Sequence, residues 1–159
     1  MRQQTTSRFE IPAPAQHHGT LDLVVPFTTP ELTRSAMEAA TAMGSGLNAA
    51  LRLLRIQVVP VQVDLYQSPV AVNFLKEQIA AFMREAPATR ELRFARDFKA
   101  GLEGSLTPDS VVILAARRRP WKTSNERLAA ALRRDGYRVV LVTAPVKSCW
   151  TTHEEVAHA

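Results

Sequence analysis

Three apolar runs rich in β-branched residues, Leu21 to Phe27, Leu51 to Val63 and Val111 to Ala116, are separated by stretches whose apolar residues recur at helical spacing. That alternation predicts an α/β domain built on a parallel sheet. Ligands of such domains bind where strands end and helices begin, so the residues after Val25 and after Leu114 carry the functional information. They are Phe27-Thr28-Thr29-Pro30 and the stretch from Ala115 to Ser124. Neither holds a glycine loop able to grip a nucleotide, nor a catalytic set.

With 159 residues the chain reads as one α/β domain, residues 21–144, between an N-terminal tail, 1–20, and a C-terminal tail, 145–159. The first tail mixes Gln, Thr, Ser, Pro and His without periodicity, and the second has room for a short helix after Thr152. A single cysteine, Cys149, rules out an internal disulfide framework and suits a reducing compartment. Met1 to Thr20 contains no apolar stretch of signal-peptide length, and no segment approaches the roughly 20 apolar residues that cross a bilayer. A cytoplasmic protein with no membrane partner is expected. The net charge of +5 favours acidic or phosphorylated partners, although the arginines are spread over several elements as on a solvated surface.

Local signals place the elements. Thr29-Pro30-Glu31 opens a helix with a capping hydroxyl, a proline suited to the first turn and an acid at the positive dipole end. Leu32, Ala36, Ala39, Ala40 and Met43 share one face of it, and Gly44-Ser45-Gly46 ends it. Ser68-Pro69 repeats the opening, followed by Val72, Leu75, Ile79, Phe82 and Met83 at spacings of three and four. Glu91 to Ala95 alternates as a half-buried edge strand with Leu92 and Phe94 inward. Phe98, Leu102 and Leu106 mark a short helix weakened by Gly101 and Gly104. Thr123-Ser124-Asn125-Glu126 is a capping box for a last helix with Leu128, Ala131 and Leu132 toward the core, and Tyr137 to Thr143 is the last strand.

Two stretches resemble the universal stress proteins, an adenine-nucleotide-binding α/β family. Val25-Pro26-Phe27-Thr28-Thr29-Pro30-Glu31-Leu32 is similar to the family's first-strand exit, and Leu51-Arg52-Leu53-Leu54-Arg55-Ile56-Gln57-Val58-Val59-Pro60 to its second strand. The resemblance implies a five-stranded parallel sheet in the order 3-2-1-4-5, with about four helices on its two faces. It also implies a ligand crevice between the first and fourth strands, a homodimer often formed through the last strand, and a role in stress response. The family's ATP-binding members carry an aspartate where this chain has Thr28. After the fourth strand they carry a Gly-x2-Gly-x9-Gly-Ser/Thr loop where it has arginines and Pro120. Glycines let successive amides point at phosphate oxygens, and bulky residues do not. The chain is therefore expected to be a degenerate member that does not bind ATP in the family's usual mode.

The residues left at the two strand exits are Thr28, Thr29, Ala115, Arg117, Arg118, Arg119, Lys122, Thr123 and Ser124, where guanidinium forks, hydroxyls and free amides converge on a small anion. The bland alternative is a soluble loop whose side chains splay into water. No catalytic residue is expected. The histidines, 17, 18, 153 and 158, all fall in the tails without metal-ligand spacing, and no carboxylate pair faces the exits. No cofactor and no metal are expected. The expectation is thus a non-enzymatic, dimeric domain binding a partner protein or small anion. The alternatives are a basic protein that binds nucleic acid through the arginine loop and Trp121, and a nucleotide-binding member with an altered phosphate loop.

Overall fold

The computed structural model describes residues 20–62, 74, 77, 79–80 and 88–145. Five strands, β1 (Leu21–Pro26), β2 (Ala49–Val58), β3 (Thr89–Ala95), β4 (Ser110–Arg117) and β5 (Arg138–Ala144), form one sheet in the order β3-β2-β1-β4-β5. Every pairing is parallel. The order and direction agree with the sequence expectation. The helix number differs: among the described residues three helices have defined bounds, α1 (Pro30–Gly44), α2 (Phe98–Glu103) and α3 (Ser124–Arg134), against the expected four. The helix expected after Ser68 lies mostly outside the described residues, of which Phe74, Glu77, Ile79 and Ala80 are helical. Residues 1–19 and 146–159, with all four histidines and Cys149, lie outside them too.

Strand residues alternate between two cores because successive side chains leave a strand on opposite faces. Leu23, Val25, Leu53, Ile113 and Ala115 meet Ala36, Met37 and Ala40 of α1, together with Ile79, on one face. On the other, Val24, Leu54, Ile56, Val112 and Leu114 meet Leu102 of α2 and Ala129 and Leu132 of α3. Apolar side chains on both faces explain why β1 and β4 show no polar alternation, their polar residues, Asp22, Ser110 and Arg117, lying near the strand ends.

Both long helices begin as the sequence requires. The Thr29 hydroxyl accepts from Leu32 N–H at 3.4 Å with Pro30 in the first turn. Thr123 and Glu126 close a capping box on α3. Gly46 and Gly136 adopt positive φ, 85° and 91°, where the chain reverses after α1 and α3. Two details depart from the periodic reading. Met43 is exposed, and Thr33 and Met37 are buried instead. β2 ends at Val58, short of Pro60 and Val63.

Candidate functional site

Pairing between β1 and β4 covers only Asp22 to Val24 with Ser110 to Val112. Past Val112, β4 remains in register with β5 as far as Arg117 with Ala144. The central strands therefore part toward their carboxyl ends, which is where a crevice opens in this topology. Here the protein's own groups occupy it. Asn125, buried in the first turn of α3, donates from Nδ2 to the Ala115 carbonyl at 2.7 Å and to Thr28 Oγ1 at 3.4 Å. Thr28 N–H donates to Thr33 Oγ1 at 3.1 Å. Arg117, at the end of β4, pairs with Glu31 in the first turn of α1 and so ties the two sides together. Both partners are exposed, and such a pair contributes about 0–1 kcal/mol.

The two long-helix N-termini at this edge also carry acids of their own. Glu31 sits in the first turn of α1. Glu126 accepts from Thr123 N–H in the capping box, and that backbone bond, helped by the Thr123 hydroxyl and the charge of Lys122, holds its carboxyl below the ordinary glutamate value against a smaller desolvation effect. Exposed amides and positive dipole ends are what bind anions at helix starts. Here each start already has a carboxylate beside it.

The sequence-predicted residues consequently separate into two groups. Thr28 and Ala115 belong to the filled seam between β1, β4 and α3, and Thr29, exposed, caps α1. Arg117, Arg118 and Arg119 line an open cleft of about 430 Å³ with Glu126, Ala116 and residues 141–143 of β5. The cleft lies on the β5 side of β4, away from the β1 side that the resemblance implies. Lys122 is exposed and Ser124 is the exposed first residue of α3, and neither they nor Thr123 line the cleft. Trp121 is 62% exposed, with the Arg119 guanidinium carbon 5.9 Å from its ring centroid, within cation-π range.

Sequence reasoning passed over a second polar group, at the amino ends of the strands on the α2 and α3 face. Asp22 of β1 receives Arg52 Nε at 2.8 Å, Arg52 Nη2 at 2.7 Å and the Ser110 hydroxyl at 2.6 Å. Arg52 Nη1 reaches Glu91 of β3 at 2.7 Å, and Nη2 also donates to the Ser105 carbonyl at 3.0 Å. Burial disfavours the Arg52 charge, but the hydrogen bonds and charge of Asp22, with Glu91, outweigh it and raise its pKa. A bidentate pair of this kind, with four of the five guanidinium N–H donors engaged, holds strands together.

Among the described residues no cluster of three or more His, Cys, Asp or Glu is arranged to hold a metal ion, and no helix is long and apolar enough to cross a membrane. No protein-family model matches the chain, and comparison with curated proteins finds no match.

Proposed function

We propose that this chain is a non-catalytic, universal-stress-protein-like binding domain of the cytoplasm, acting in stress response as a homodimer and taking a small anionic ligand or a partner protein, not ATP in that family's usual mode. The observation that carries the reading is the filled seam at the strand exits. Asn125, Thr28 and Thr33 satisfy one another there, Arg117 is drawn to Glu31, and both helix starts have their own acids. A polyphosphate wrapped around this edge would have to displace them. The anion-binding capacity that remains is the cleft at Arg117, Arg118 and Arg119, beside Lys122. β5 is the outermost strand next to β4, which gives a second copy a backbone edge to pair with.

Calorimetric titration with ATP, AMP and cyclic nucleotides, with and without Mg²⁺, tests this reading. No micromolar, Mg²⁺-dependent ATP binding is expected; its appearance would falsify the proposal. A second reading is favoured by one observation, the exposed Trp121 beside Arg119 on a basic loop, a platform on which a nucleic-acid base stacks. Binding of a single-stranded oligonucleotide that collapses with added salt and weakens in Arg118→Ala/Arg119→Ala would favour it over the first.

A further inference from the structure

β2 carries two arginines three residues apart, so its pleat sends them to opposite faces of the sheet. Arg52 meets two carboxylates and a carbonyl, as described above. Arg55 is also partly drawn in from solvent, on the α1 face, and meets none among the described residues. In register with it on β3 is Leu92. On the β1 side is Phe27, whose N–H donates to Leu54 O at 2.8 Å and whose ring centroid lies 4.5 Å from the Arg55 guanidinium carbon. Two residues further along the same face, Gln57 turns its amide to the Val58 carbonyl. Arg55 Nε is buried without a hydrogen-bond partner, the one such side-chain atom found among the described residues. Burial alone pushes the group below the ordinary arginine pKa.

A buried donor left unmatched where the other buried side-chain polar atoms of the described residues are satisfied calls for an explanation. The contact with Phe27 supplies only part of one, because an aromatic face attracts a cation less strongly than a hydrogen-bonded carboxylate does. The Phe27 ring covers one side of the guanidinium, and the edge of a guanidinium is a fork that fits two oxygens of one anion. The position also matters: Arg55 lies in the carboxyl half of β2 beside the residue that leaves β1, at the ligand-binding edge of the sheet and on the opposite side of β1 from β4.

We propose that Arg55, placed over the Phe27 ring, is an oxyanion-recognition site for the carboxylate or phosphate group of a small ligand, separate from the arginine cleft at the end of β4. The arginine is retained there for the ligand and not for the fold.

The test uses the full ¹⁵N-labelled chain, titrated in parallel with inorganic phosphate and with citrate while the arginine Nε–Hε resonances are followed. The Arg55 resonance, assigned by its loss in Arg55→Met, is expected to shift saturably with one of the two probes, which identifies the preferred anion. The shift should persist in Arg118→Ala/Arg119→Ala, separating this site from the cleft, and binding should weaken several-fold in Arg55→Lys, which keeps the charge but loses the fork. Without ligand, Arg55→Met should melt at or above the wild-type temperature. An Arg55 resonance unmoved by both probes overturns the proposal, and a lower melting temperature for Arg55→Met then leaves the arginine as a structural partner of Phe27.

Discussion

Replacing Asn125 by alanine measures how dry the seam at the strand exits is. The side chain donates at 2.7 Å to the carbonyl of Ala115, a residue only 1% exposed, and at 3.4 Å to the hydroxyl of half-buried Thr28. Alanine removes the donor and leaves that carbonyl facing a pocket one amide in size. An unsatisfied buried acceptor costs about 1–3 kcal/mol. The longer bond to Thr28 adds little, because that hydroxyl can turn to another partner. Better helix propensity returns about 0.5 kcal/mol. The net loss is about 1–2 kcal/mol, read as a lower urea midpoint at unchanged m-value. Thr28→Val serves as the control and should lose less than about 0.5 kcal/mol, since it sacrifices only the weak bond. If Asn125→Ala unfolds at the wild-type urea concentration, water reaches the Ala115 carbonyl, and the claim that the seam is filled fails with it.

Two further outcomes follow from the same geometry. At Gly101 a methyl group would lie 2.7 Å from Ala95 Cβ and 2.8 Å from Ile56 Cγ2, neither of which can swivel away. Overpacking of about 1–3 kcal/mol therefore outweighs the gain of about 1 kcal/mol in helix propensity, and Gly101→Ala should have a lower urea midpoint, a raised one contradicting the close approach. Because the folded state holds the Glu126 carboxyl below its unfolded value, its contribution to stability is complete above the unfolded pKa and disappears as pH falls through the folded one. A ¹³C carboxyl titration should place its midpoint below that of a free glutamate, and Glu126→Gln should flatten the acid limb of the stability profile.

Local chemistry made most of the fold legible. β1 and β4 are apolar runs buried on both faces, and Thr29-Pro30 and Thr123-x-x-Glu126 mark helix starts by a mechanism that acts within four residues. Errors arose where the answer depends on distant parts of the chain. Met43 continues the apolar spacing of α1 but is exposed, while Thr33 is buried and its hydroxyl accepts from Thr28 N–H. The arginines after β4 were recognisable as candidates. That they share a cleft with β5 and Glu126, and not with Thr28 and Thr29, depends on where the pairing of β1 with β4 stops. Asn125 reads in the sequence as an ordinary helix-start residue, and nothing in its spacing says that it points inward. Asp22, Arg52 and Glu91 each interrupt an apolar strand, which is a signal, but only the alignment of three strands shows that they answer one another.

The ionic group at the amino ends of the strands has a bearing on how the chain finds its alignment. Neighbouring parallel strands that are greasy on both sides tolerate sliding by two residues, since each core still receives an apolar side chain. A slide of two residues moves β2 about 6.6 Å along β1, carrying the Arg52 guanidinium out of reach of Asp22 and Glu91, and a slide of one sends it to the wrong side of the sheet altogether. Asp22 and Ser110 are 88 positions apart in the chain, Asp22 and Arg52 only 30. The clasp can thus begin to form on the first two strands and is fastened only when the fourth arrives, so that misthreaded arrangements carry a stranded charge until they come undone.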